Sequence, residues 1–122
     1  MLLVRDKAGN TAWHRAAKRD SSEALEILWN CAKELELNTD ELLLAKDRDG
    51  FTAFKLEAEN NHVEIITRMR DWAEEVQFNT NELKNKLLLT KDNHGQTAWH
   101  SAANQGSLEV LELLWSLAKD AN

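Results

Sequence analysis

The sequence predicts an all-α fold, a helical-repeat solenoid of three stacked helix-turn-helix units with short extra helices in the connecting loops. Three observations carry that reading. One run is written three times: LLVRDKAGNTAWHRAA over 2–17, LLAKDRDGFTAFKLEA over 43–58 and LLTKDNHGQTAWHSAA over 88–103. Each run is followed by a stretch whose apolar residues recur at helical spacing. Proline is absent and only four glycines occur in 122 residues, which leaves helices uninterrupted and disfavours a sheet-and-turn architecture.

The elements follow in order within each unit. Gly9, Gly50 and Gly95 mark the opening turns, 41 and then 45 residues apart. The four extra residues, Lys84 to Leu87, are placed in a loop between elements, where chain length is tolerated. The chain then reads as a single domain over 1–122, with repeats at approximately 2–42, 43–87 and 88–122. A short first helix begins after Thr11, Thr52 and Thr97, whose hydroxyls suit the unpaired amides of a first turn. It ends at a left-handed position supplied by Asp20, Asn61 and Gly106. Ser21 and Ser107, and more weakly His62, follow as caps for the second helix. In the first copy that helix sets Ala24, Leu25, Ile27, Leu28, Cys31, Ala32 and Leu35 on one face, with Glu23, Glu26, Asn30 and Lys33 away from it. LNTDELLL from Leu37 and FNTNELKNKLLL from Phe78 each read as a short third helix.

The run D-x-x-G-x-T-A-[W/F]-[H/K]-x-x-A, followed by E-V-L-E-L-L, resembles the ankyrin repeat. That family places T-P-L-H-x-A-A after a glycine turn, and Asp92, Gly95, Thr97, Ala98, His100, Ala102, Ala103, Gly106, Glu109 and Val110 stand at its hallmark positions. Ala replaces the usual Pro, an aromatic replaces Leu, and the period of 41 to 45 exceeds the usual 33 or so. The resemblance implies a structural role for His14 and His100, each bonding its own Thr and nearby backbone. It also implies binding of a partner protein on the concave side, through turn tips and first helices.

One such unit cannot bury its apolar face alone, whereas three stacked units share a continuous core. Trp13, Trp29, Phe54, Trp99 and Trp115 are expected there. Each Trp removes about 200 Å² from water, or about 5 kcal/mol gross before entropy is subtracted. The middle copy differs: Lys55 replaces His, Glu57 replaces Ala, and Arg68 and Arg70 stand where the first copy has Ile27 and Trp29. An unpaired buried charge is costly, so Glu57 is expected either to pair with Arg68 or Arg70 or to sit in a more exposed stretch.

A net charge of −6 argues against general affinity for nucleic acid. Cys31 has no partner for an internal disulfide, and no segment reads as a signal peptide or membrane span, so an intracellular, cytoplasmic setting is expected. No two of His14, His62, His94 and His100 have the i, i+4 spacing of a helical metal pair, so neither metal nor cofactor is expected. Cys31 lies on an apolar helix face, which predicts a buried, inert thiol. No nucleophile, phosphate-loop or paired-carboxylate pattern stands out, so the chain reads as a binding protein rather than an enzyme.

The expected partner contacts are the variable positions of the turn tips and first helices. The first copy supplies Lys7, Ala8, Asn10, Lys18 and Arg19 and is basic. The second supplies Arg48, Asp49, Phe51, Glu59 and Asn60, and the third the neutral amides Asn93, Gln96, Asn104 and Gln105 with His94. Phe51 and Arg19 are the expected anchors. Neither terminal unit is rewritten with a polar outer face. The end faces are therefore expected to meet further repeats of a longer array or, as the rival, to self-associate as a homodimer. A structural spacer without a dedicated partner is the alternative function.

Overall fold

The computed structural model describes residues 4–19, 21–36, 39–75 and 80–120. Within them the chain forms α1 (Ala12–Lys18), α2 (Ser22–Glu34), α3 (Thr39–Leu44), α4 (Ala53–Glu59), α5 (Val63–Glu75), α6 (Thr80–Leu89), α7 (Ala98–Gln105) and α8 (Leu108–Asp120). Among the described residues there is no strand. The two short third helices are α3 and α6. Leu37, Asn38, Phe78 and Asn79, at the openings of those segments, and Asp20, at the end of α1, lie outside the described residues.

Local chemistry sets the helix starts. Thr11 Oγ1 accepts the His14 amide at 3.3 Å, and Thr52 Oγ1 accepts the Lys55 amide at 3.1 Å. The chain then doubles back in the same way in every unit. The amides of Ser21, His62 and Ser107 donate to the carbonyls of Ala16, Glu57 and Ala102 at 3.2, 3.0 and 3.2 Å. Asn61 and Gly106 take the left-handed conformation this reversal needs, at φ 61° and 64°. Ser21 and Ser107 cap the second helices, accepting the amides of Ala24 and Val110 at 3.2 and 3.3 Å.

The four extra residues Lys84 to Leu87 do not sit in a loop as expected: they are part of α6, which has 10 residues where α3 has 6. Four residues are close to one 3.6-residue turn, so the insertion lengthens the helix while keeping its inner edge in register. Leu87 and Leu88 are accordingly buried like their counterparts Leu42 and Leu43.

Equivalent helices pack on one another. The first helices α1, α4 and α7 lie in a row, α5 packs on α8, and α3 on α6. α2 meets α5 through Trp29 and Trp72, stacked at 5.3 Å between centroids and 14° between planes. Trp13 completes the cluster, 6.3 Å from Trp29 and 5.7 Å from Trp72. The core runs on through Phe54, Ile66 and Met69 to Leu114 and Leu117. Trp72 was not among the aromatics expected in the core, yet it joins the first two units. Trp115 departs in the opposite sense: it is 60% exposed, because among the described residues no further unit packs against its face of α8. Ile27 and Leu35, placed on the apolar face of α2, are also exposed, and Cys31 is half-buried rather than buried.

Candidate functional site

The geometry that aligns the turn tips begins with three aspartates. Asp6 Oδ1 accepts the amides of Ala8 and Asn10 at 2.9 and 3.0 Å, Asp47 Oδ1 those of Asp49 and Phe51 at 2.9 Å each, and Asp92 Oδ1 those of His94 and Gln96 at 2.8 and 3.0 Å. Each aspartate's own amide donates to the carbonyl four residues on, at 2.8 to 2.9 Å. Gly9, Gly50 and Gly95 complete the turns at φ +83°, +85° and +78°, a region in which a side chain is strained.

Neighbouring turns are then fastened together. The Asn93 amide donates to Asp49 O at 3.0 Å, and Asn93 Nδ2 to Arg48 O at 2.9 Å. Arg48 donates through its guanidinium to Lys7 O, and Arg5 reaches Gly9 O at 2.8 Å and Lys46 O. The approach is close: a Cβ on Gly50 would lie 2.7 Å from Asn93 Oδ1, and one on Gly9 2.9 Å from the Arg48 Cβ.

Below the turns lie the residues at the position of the family histidine. His14 Nδ1 meets Thr11 Oγ1 at 2.8 Å, and its Nε2 approaches Ala45 O and Phe51 O of the next unit at 2.9 and 3.2 Å. Burial holds this imidazole below its usual value of 6.5. His100 repeats the local bond, with Nδ1 3.0 Å from Thr97 Oγ1, but its side chain is exposed. In the middle unit Lys55 reaches the same interface, with Nζ 2.9 Å from Asp92 Oδ2, 2.8 Å from Ser101 Oγ and 3.9 Å from the Phe51 ring centroid. Burial acts to raise the Asp92 carboxyl, but the amides of Gln96 and His94 and the Lys55 ammonium outweigh it and hold it at about 2.

Of the expected partner contacts, Lys7, Ala8, Lys18, Arg19, Arg48, Asp49, Asn60, Asn93, His94, Asn104 and Gln105 are exposed. Glu59, Gln96 and Phe51 are half-buried, and Asn10 is buried. Phe51 packs against the core beneath Lys55, so it is less open than an exposed anchor. Lys18 lies 3.9 Å from Asp47 Oδ2, while Arg48 and Asn93 also bridge turns. The buried Glu57 hydrogen-bonds His62 Nδ1; Arg68 pairs with Glu26 and Glu64, and Arg70 with Asp71. The D-x-x-G spacing signals the aspartate turns, whereas the Lys55–Asp92 pair joins residues 37 positions apart and has no local signal.

Residues 94–122 match the family profile described as Ankyrin repeat. The third unit is thus similar to an ankyrin repeat. It carries the capping threonine, the Thr-bonded histidine and the left-handed glycine between paired helices, and the all-helical fold of the described residues is that of an ankyrin-like repeat protein. Ankyrin repeats are in general a protein-interaction fold. No match to the chain is found among curated proteins. Among the described residues, no helix is long and apolar enough to cross a membrane, and no group of three or more His, Cys, Asp or Glu is placed to hold a metal ion.

Proposed function

We propose that this chain is one three-repeat recognition domain, binding a partner protein along the row of turn tips and first helices and working in an intracellular, reducing compartment. One observation carries the reading: the turns are hydrogen-bonded edge to edge, yet the side chains at equivalent positions differ. Lys7, Arg48 and Asn93 form one such set and Arg19, Asn60 and Gln105 another, each exposed. A rigid frame with a varied surface suits selective binding, because pre-organised backbone lowers the entropy lost on association. The first unit offers Lys7, Lys18 and Arg19, so an acidic stretch of the partner meets that end.

The test is capture from lysate with quantitative mass spectrometry, using the chain itself and the variants Lys7→Glu/Arg19→Glu and Asn30→Glu. The reading expects a selectively captured protein that the first variant loses and that Asn30→Glu, altered on the exposed side of α2, retains. A spacer without a dedicated partner predicts the same background for all three baits, and that result would reject the proposal.

A further inference from the structure

The two ends of the stack carry the two halves of the interface that joins its units. At the junction of the first and second units, Trp13 and Trp29 lie against Trp72, His14 reaches across to Ala45 O and Phe51 O, and Lys33 Nζ pairs with Glu75 Oε2 at 3.2 Å. Positions 13, 14, 29 and 33 recur in the third unit with identical residues, Trp99, His100, Trp115 and Lys119. There Trp99 is half-buried, Trp115 is 60% exposed, and His100 and Lys119 are exposed.

The opposite end carries the receiving half. Ala12, Ala16, Ala24, Ile27 and Leu28, together with Arg15 and Arg19, line an open, mainly apolar groove of about 450 Å³ between α1 and α2. Of their counterparts, Ala53, Ile65 and Met69 in the second unit and Ala98, Ala102, Val110 and Leu114 in the third are buried, as is Glu57 at the place of Ala16, while Arg68 and Leu113 at the place of Ile27 are half-buried. Ile27 at the groove is 62% exposed. Glu34, exposed at the end of α2, holds the place of Glu75.

We propose that the chain associates head to tail with a second copy of itself, the Trp99 and Trp115 face of one copy seating on the α1–α2 groove of the next. Lys119 then meets Glu34 as Lys33 meets Glu75 within the chain. The occupant is a second copy because the donor face repeats, at Trp99, His100, Trp115 and Lys119, the residues by which the first unit already packs on the second, although Lys18, which reaches Asp47, is replaced by Asn104. The contact is heterologous: each copy keeps one free face of each kind, so association runs on with concentration instead of stopping at a twofold pair.

Sedimentation velocity over a concentration range tests this with the chain, Ile27→Glu, Trp115→Glu and an equimolar mixture of the two variants. Both substituted side chains are exposed, and circular dichroism checks that helix content is kept. The expected result is a mass that rises past the dimer for the unaltered chain, monomer for each variant alone, and a dimer that grows no further for the mixture. A strictly monomeric unaltered chain, as expected if another repeat or an unrelated protein covers these faces, overturns the proposal. So does either variant associating like the parent, or a mixture that stays monomeric.

Discussion

Lys55 stands where the first and third units have a histidine, and it changes how one layer of the stack is fastened to the next. His14 joins its neighbour through neutral hydrogen bonds to carbonyls, whereas Lys55 does so through a buried ion pair with Asp92. Removing one member of such a pair leaves an uncompensated charge, at a cost of about 3–5 kcal/mol. Lys55→Met is therefore expected to lower stability by about 3 kcal/mol in urea unfolding. Adding Asp92→Asn, which keeps the oxygen that accepts the turn amides, should recover part of the loss. Strictly additive effects would mean that the pair is not coupled.

His14 makes a pH prediction of definite sign. Its folded-state pKa lies below the unfolded value of 6.5, so on acidification the unfolded chain takes up a proton that the folded chain resists. The contribution is present above 6.5 and is lost as pH falls toward the folded value. Urea midpoints measured between about pH 7.5 and about pH 5.5 should fall more for the parent chain than for His14→Gln, which cannot titrate. Equal slopes would show that this imidazole is not held neutral.

At the level of elements, the turns separate backbone strain from crowding. Gly50 and Gly95 share nearly the same positive φ, but a Cβ on Gly95 meets nothing within 4 Å, while one on Gly50 would lie 2.7 Å from Asn93 Oδ1. Gly95→Ala should cost about 1–2 kcal/mol, the left-handed penalty alone. Gly50→Ala should cost at least about 1 kcal/mol more, because turns that touch must part. Thermal unfolding of the two variants provides the comparison, and equal losses would contradict close stacking of the turns.

The same elements show what the sequence makes legible. The triplicated run locates the glycines, the capping threonines and the helix pairs, since each is set by chemistry within a few residues. The four-residue insertion reads as loop in the sequence because a gap between repeats does not reveal whether the inserted residues keep helical register. Trp115 reads as core in the sequence because its neighbourhood matches that of Trp29. Burial depends on what packs against the helix, and the next unit does so only for Trp29. For Glu57 the sequence points to Arg68 or Arg70 and not to His62, because His62 reaches it only once the chain reverses between α4 and α5.

Across the whole molecule, three aspartate-anchored turns, a row of first helices and a continuous aromatic and aliphatic core make a frame whose exposed edge changes from basic to neutral along its length. This edge is where we propose that a partner protein binds. Hydrogen–deuterium exchange of the chain with and without the captured partner tests it most directly, since bound surfaces slow the exchange of the amides they cover. The expected result is added protection at the turn amides around Lys7, Asp49 and His94 and at the ends of α1, α4 and α7. Protection confined to α2, α5 and α8, with the turns unchanged, would contradict it.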